Sequence, residues 1–139
     1  FAVGCPLWAV SSLAAIAQRE LLAEPHRVVI AVLDARRDEV YAGAYRRDGD
    51  RTVAIGEERV IAPAALDLPE GARIAGDFIA EREGHSVTFP ITPTGAAVAL
   101  LALEGARADV LVTGAPTYIR PSEAEVKYPD GVPGALRKR

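Results

Sequence analysis

Hydrophobic positions near the start of the chain first follow a helical pattern. Apolar residues recur every three or four positions behind Ser11 and Ser12, either of which can serve as a helix N-cap, and Pro25 prevents continuation. The spacing predicts a helix over about residues 12–23 with one apolar stripe, formed by Leu13, Ile16, Ala17, Leu21 and Leu22. Before it we expect a turn at 4–6 and a short buried strand.

The next segment carries strand patterns. Residues 27–34 form a nearly continuous apolar run, which predicts a strand covered on both faces. Residues 39–47 predict a second strand, with Tyr41 and Tyr45 on one face and the smaller apolar residues on the other. Asp48-Gly49 predicts a hairpin turn, and residues 52–61 a third strand. These three antiparallel strands predict a meander.

Shorter elements fill the second half. We expect a helical turn at 63–66, a strand at 73–75 that ends at Gly76, helical residues at 78–83 and a strand at 86–89. Residues 92–94 then start a helix that is apolar on nearly all sides, which predicts a well-buried helix ending near Gly105. Residues 109–113 are compatible with either a helix end or a strand, and residues 116–120 are predicted to be extended. The fold class that follows is α/β with a mixed sheet.

Composition fits one soluble domain over residues 1–139. The 16 basic and 19 acidic residues leave a net charge of −3, which excludes nucleic-acid binding by bulk electrostatics alone. No apolar stretch is long enough to span a bilayer, and a single cysteine, Cys5, favours a reducing cytoplasm. Because the chain begins at Phe1 and contains no methionine, we expect that a preceding segment is missing. The turn-rich segment 121–139 predicts a loosely ordered tail.

Candidate chemistry is sparse. His26 and His85 lie far apart without a ligand at zinc-helix spacing, and Cys5 stands in an apolar context that favours a packed thiol. The carboxylates at 34, 38 and 39 fit either acid–base work or salt-bridged turn charges, and the adjacent Arg36 and Arg37 favour the second. The sequence therefore predicts no catalytic, cofactor-binding or metal-binding residue. Its arginine clusters fit contact patches or ordinary solvated turns.

Three segments, in order, resemble one family. Gly4–Ala17 is similar to the Gly-x-Pro-(apolar)-x-x-Val-Ser-Ser-Leu-x-Ala-(apolar)-Ala stretch of the bacterial TsaB (YeaZ) proteins. Asp34–Tyr41 resembles that family's Asp-Ala-Arg-x-x-Glu-Val-Tyr hairpin, and Pro116–Arg120 its closing Pro-x-Tyr-(Leu/Ile)-Arg motif. The resemblance covers nearly all of this chain but only the later part of the family's length.

The resemblance implies an actin-like, Hsp70-like ATPase (RNase H-like) fold, of which this chain is the second, C-terminal subdomain with the N-terminal subdomain absent. It implies a non-catalytic scaffold subunit of the tRNA N6-threonylcarbamoyladenosine machinery. The partners would be TsaD-like and TsaE-like proteins, which supply ATP and metal, and tRNA indirectly; a homodimer is a further expectation. The alternatives are a glycoprotease-like or nucleotide-hydrolysing enzyme of the same fold, and an RNA-binding module.

Five residues are candidates for contact with a partner or with RNA: Arg36, Arg37, Tyr41, Tyr118 and Arg120. We expect Asp34 and Glu39 to pair with Arg36 or Arg37 and so fix the hairpin turn. For Tyr118 and Arg120 the alternative to a tRNA contact is a structural one, in which they anchor the C-terminal segment to the body of the domain.

Overall fold

A computed structural model describes residues 7–76, 86–88, 93–106, 108–109, 119–120 and 126–129, with the backbone alone for 86–88 and 108–109. The predicted helical segment 78–83 and most of the predicted tail lie outside this range. The helices are α1 (Ser12–Ala23) and α2 (Gly95–Glu104), and a short 3₁₀ turn covers Pro63–Ala65. The strands are β1 (Trp8–Ala9), β2 (Val29–Asp34), β3 (Val40–Asp48), β4 (Arg51–Ala54), β5 (Arg59–Ile61), β6 (Arg73–Gly76), β7 (Ser86–Thr88) and β8 (Ala108–Asp109).

Six of these strands form one mixed sheet. Its order is β4-β3-β2-β6-β7, and β5 pairs with a second stretch of β3. The β2–β3 pair is antiparallel, with Asp34 opposite Val40, whereas β2–β6 and β6–β7 are parallel. The meander and the mixed sheet predicted from the sequence are confirmed, as are the strands at 73–76 and 86–88 and the helical turn after residue 62.

The predicted helix at 12–23 is confirmed with its cap. The Oγ of Ser11 accepts a hydrogen bond of 3.2 Å from the backbone N–H of Ala14, which satisfies one of the unpaired donors of the first turn. One expectation for this helix is wrong, because Leu22 is exposed. It lies outside the buried stripe, which continues instead through the polar side chains of Gln18 and Glu20.

The sheet has a different cover on each face. On one face, α1 and α2 pack against Val29, Ala31 and Tyr45. On the other face, Ile30, Val32 and Ile74 pack under the segment that follows β5, and that side also holds the small residues of β3. Alternate residues of β2 therefore belong to different clusters, as a strand buried on both faces requires.

The predicted third strand at 52–61 is wrong as a single element. It is divided into β4 and β5, which pair with successive parts of β3. Gly56 between them has a φ of +79°, and Ile55 donates a backbone hydrogen bond of 2.7 Å to Ala44. A left-handed glycine turns the chain out of the extended conformation, so the ladder is interrupted there.

The prediction that α2 is well buried is also wrong, although its bounds are confirmed. Thr94 caps its start and Gly105 ends it at a φ of +92°. Only Ala97 and Leu101 of this helix are buried, whereas Leu103 is 77% exposed. A helix that is apolar all round carries no signal for which side faces the core, and here a single side contacts α1 and β4.

The strand predicted near the start is present but only partly covered. Trp8 and Ala9 pair with Asp109 and Ala108 in a separate two-stranded antiparallel sheet. Trp8 is 42% exposed, so the expectation of a buried strand is wrong. Within the described residues, no helix is long and apolar enough to cross a membrane.

Gly76 ends β6 where the backbones of β6 and β2 approach closely. Its φ is +150°, and a Cβ placed on it would overlap the backbone carbonyl of Val32 in the paired strand. Only glycine can adopt this φ and also leave room for the carbonyl of Val32. Gly76 therefore allows β2 and β6 to lie close together at the end of β6.

Candidate functional site

The turn between β2 and β3 has an unusual backbone. Arg36, Arg37 and Asp38 have φ values of 62°, 57° and 59°, so three successive non-glycine residues are left-handed. That conformation costs roughly 1–2 kcal/mol per residue for L-amino acids. All three residues are exposed, so burial does not offset the cost. Strain of this kind persists where surrounding contacts over-determine the conformation, and it is concentrated at functional positions.

Contacts within the hairpin hold part of this turn. The Oδ1 of Asp34 accepts a hydrogen bond of 2.7 Å from the backbone N–H of Arg36, and the same carboxylate lies 3.2 Å from the Arg36 guanidinium. The backbone N–H of Glu39 donates to the carbonyl of Arg36 over 3.1 Å, and that of Ala35 donates to the carbonyl of Glu39 over 3.0 Å. The predicted pairing of Asp34 with an arginine of the turn is therefore present.

A residue from far along the chain completes the site. The Nη1 of Arg120 donates a hydrogen bond of 2.8 Å to the carbonyl of Ala35, and its Nη2 forms an ion pair with the carboxylate of Glu39. Glu39 thus pairs with Arg120, which corrects the expectation that its partner is Arg36 or Arg37. Two of the segments that resemble family motifs meet at this contact, although 81 residues separate Glu39 from Arg120.

The remaining candidate residues take different positions. Arg37 is exposed at the tip of the turn beside Arg36, whose side chain is 88% exposed. Tyr41 is half-buried and, like Ile119, packs against the core cluster between the sheet and helices α1 and α2, so its ring is part of the domain's packing. Tyr118 lies outside the described residues. The structure therefore brings Arg36, Arg37 and Arg120 to one end of the β2–β3 hairpin.

A buried polar network on the helical side of the sheet escaped the sequence analysis. The Nε2 of Gln18 and the Nη1 of Arg47 donate to Oε1 of Glu104 over 2.7 and 3.0 Å, and the backbone N–H of Thr52 donates to Oε2 over 2.8 Å. Burial alone would raise the pKa of Glu104, but these hydrogen bonds and the Arg47 charge outweigh it and hold the pKa below its ordinary value. The network joins α1, α2, β3 and β4.

A second polar cluster lies at the start of α1. The hydroxyl of Tyr45 donates a hydrogen bond of 2.5 Å to Oε1 of Glu58, and Ser11 donates to the same oxygen. Burial, reinforced by the bond to Glu58, raises the pKa of Tyr45 far above its ordinary value. Tyr45 stays protonated as a hydrogen-bond donor, so the cluster holds the helix start against the sheet and supplies no base from this residue. In the sequence, only the N-cap position of Ser11 pointed to this cluster.

The resemblance to actin-like ATPases implies a nucleotide, and enzymes built on that fold often use a metal. Among the described residues, no group of three or more His, Cys, Asp or Glu residues could hold a metal ion. A phosphate site needs backbone N–H groups that point to the anion. At the β2–β3 turn the N–H groups of Ala35, Arg36 and Glu39 are already bonded to oxygens of the chain itself. The described residues therefore hold no such metal cluster, and these three N–H groups do not form a phosphate site.

Comparison with solved structures identifies proteins of the same fold. The chain is similar to YeaZ from Pseudomonas aeruginosa, with 27% identity and a TM-score of 0.69, over 85% of this chain and 61% of that one. It is also similar to an uncharacterized protein, itself similar to the peptidase YEAZ from Pseudomonas aeruginosa, with 27% identity and a TM-score of 0.71, over 86% of this chain and 62% of the other. The chain thus spans about three fifths of the length of these relatives. The predicted fold class, an actin-like ATPase (RNase H-like) subdomain with a mixed sheet flanked by helices, is confirmed.

A comparison with protein families gives the same result. No curated protein matches the sequence of the chain. One family model matches residues 1–126, which include the turn, both polar clusters and Arg120. Together with the YeaZ structures, this match confirms the resemblance to TsaB (YeaZ) proteins. The chain therefore belongs to the family described as TsaD, tRNA N6-adenosine threonylcarbamoyltransferase.

Proposed function

We propose that this protein is a non-catalytic scaffold subunit of the machinery that makes N6-threonylcarbamoyladenosine in tRNA. The observation that carries the proposal is the family match over residues 1–126, combined with structural neighbours named YeaZ. The partners are a TsaD-like transferase and a TsaE-like ATPase, which bring the metal and ATP. The tRNA reaches this subunit indirectly, through the complex.

The side-chain contacts of the described residues favour a structural role over a catalytic one. The carboxylates of Asp34, Glu39 and Glu104 each form an ion pair with an arginine, so their oxygens are engaged in contacts within the domain. Tyr45 is held neutral by burial and by Glu58. Groups arranged in this way stabilise a shape, which is the property that a scaffold contributes. The single cysteine of the chain fits a cytoplasmic location.

Reconstitution tests the proposal. The protein that carries this chain, in its natural length, is combined with the TsaD-like and TsaE-like proteins of the same organism, unmodified tRNA, ATP and a threonylcarbamoyl donor. Threonylcarbamoyl transfer to tRNA is measured with each protein omitted in turn. We expect no transfer by this protein alone and a large increase when it joins the other two. Equal threonylcarbamoyl transfer with and without this protein would contradict the proposal.

The alternative activities are measured in the same preparation. Hydrolysis of ATP or of a peptide substrate by the isolated protein would favour an enzyme of the same fold. Direct binding of tRNA that falls steeply with salt, and weakens in Arg36→Ala/Arg37→Ala, would favour an RNA-binding module. The matched control is Arg46→Ala/Arg51→Ala, which removes two exposed arginines from a different hairpin. We expect neither variant pair to change tRNA binding by this protein alone.

A further inference from the structure

The three left-handed residues of the β2–β3 turn are enclosed by one side chain from outside the hairpin. Arg120 contacts the carbonyl of Ala35 and the carboxylate of Glu39. Ala35 directly precedes the left-handed residues 36–38, and Glu39 directly follows them. The planar guanidinium therefore spans the base of the turn and fixes the distance between its two ends.

The residue beside Arg120 attaches the same segment to the core. Ile119 packs against the core cluster between the sheet and helices α1 and α2, as Tyr41 of β3 also does. Residues 119–120 thus make one apolar contact, with the core, and one charged contact, with the hairpin. We call residues 119–120 the strap.

The hydrogen bonds within the hairpin differ in kind from the contact that Arg120 of the strap makes. The backbone N–H of Arg36 donates to Asp34, that of Glu39 to the carbonyl of Arg36, and that of Ala35 to the carbonyl of Glu39. Each of these is a single hydrogen bond between one donor and one acceptor, and the first is exposed to solvent. The Arg120 contact is charge-assisted and two-pronged, the kind of hydrogen bond that is strong and directional.

We infer that the strap is a conformational latch, in which Arg120 holds residues 36–38 in the left-handed conformation. With the latch closed, Arg36 and Arg37 are displayed in one fixed arrangement; with it open, the turn relaxes to less strained conformations. Because linkage is reciprocal, a partner that displaces the strap changes the turn, and a partner that binds the turn changes the strap. Arg120 is thus a positioning residue, and this inference does not rest on the proposed function.

Limited trypsin digestion measures how often the turn is open. Trypsin cleaves after Arg36 and Arg37 and binds its substrate as an extended segment, so it cleaves the open turn. The measured quantity is the cleavage rate at 36–37, divided by the rate after Arg51, which is exposed at the β3–β4 hairpin. We expect Arg120→Ala to raise this ratio about tenfold, by raising the population of the open turn. Arg120→Lys keeps the charge but loses the fork, and should raise the ratio by less.

A matched control removes a different arginine. Arg59→Ala, at an exposed position of β5, should leave the ratio unchanged. Thermal unfolding of each variant fixes a digestion temperature well below its midpoint. A ratio unchanged in both Arg120 variants, or one that is equally raised in Arg59→Ala, would overturn the inference.

Relief of the strain gives a second, independent test. Asp38→Gly removes the penalty for one left-handed residue while keeping both tryptic sites. If strain opens the turn once Arg120 is removed, the double variant Arg120→Ala/Asp38→Gly should show a ratio about threefold lower than Arg120→Ala alone. A ratio in the double variant that is not lower would show that cleavage does not depend on the left-handed conformation, and would also overturn the inference.

Discussion

The side-chain amide of Gln18 donates a hydrogen bond of 2.7 Å to Glu104, although 86 residues separate the two in the sequence. Gln18 is fully buried, and Glu104 ends the second helix. The two helices are therefore joined by a polar contact inside an otherwise apolar interface. A buried amide without this partner would lose hydrogen bonds that water supplies in the unfolded chain.

Glu104→Gln should lower the free energy of unfolding by roughly 2–3 kcal/mol. The substitution leaves Arg47, whose side chain is only 11% exposed, without its charged partner. Urea unfolding at neutral pH measures the change. Glu57→Gln, at an exposed position, is the matched control and should change stability by less than about 0.5 kcal/mol.

The same variant should also change the response to acid. The pKa of Glu104 is lowered in the folded state, so its contribution is complete above the ordinary pKa of 4.5 and is lost as the pH falls through the folded value. The stability difference between wild type and Glu104→Gln should therefore shrink below about pH 4.5. A difference of constant size down to about pH 3 would contradict this account.

Tyr45→Phe should reduce the loss of stability at alkaline pH. Burial and the bond to Glu58 raise the pKa of Tyr45, so the unfolded chain, where tyrosine titrates near 10.0, loses this proton first. Wild-type stability should therefore fall above about pH 10, and the variant should fall less steeply while losing about 1–2 kcal/mol at neutral pH. Leu101→Ala, which removes no ionisable group, is the control and should keep the wild-type slope.

Gly76→Ala should destabilise the domain by about 3 kcal/mol or more. The added methyl group would overlap the carbonyl of Val32, and the φ of +150° is strained for alanine. Gly95→Ala is the matched control, because a Cβ at that helix position meets open space and alanine favours helix. Thermal unfolding of both variants measures the contrast, and equal midpoints would contradict the close approach of β2 and β6.

Leu101→Ala and Leu103→Ala test which side of α2 faces the core. Leu101 is fully buried, so its truncation should cost about 2–4 kcal/mol. Leu103 is largely exposed, and its truncation should cost less than about 0.5 kcal/mol. Both leucines stand in the same helix, so helix propensity cancels between the variants. Similar losses in urea unfolding would mean that α2 is covered on both sides.

Elements with local signals could be predicted from the sequence. Ser11 and Pro25 bound α1, the Asp48-Gly49 turn fixes the hairpin, and Gly105 ends α2, because each signal acts within a few residues of its effect. The burial of α2 could not be predicted, since apolar residues on all sides leave its orientation to tertiary packing. The break at Gly56 was missed because one glycine in a strand pattern is compatible with continuation.

The candidate site was predictable only in part. Asp34 and Arg36 are two residues apart, so their pairing is a local property of the turn. The partners of Glu39 and Glu104 come from segments 81 and at least 52 residues away, which a single sequence does not reveal. The left-handed backbone at 36–38 was equally hidden, because arginine has no preference for that region and a single aspartate is a far weaker signal for it than glycine.

The small sheet of β1 and β8 closes a loop of about a hundred residues, since Trp8 lies opposite Asp109. Pairing at such a separation is entropically slow to form and gains little until the intervening helices and strands are in place. We therefore expect this small sheet to form last in the assembly of the domain. Trp8 is the only tryptophan of the chain, so its fluorescence reports on that final closure separately from the formation of the main sheet.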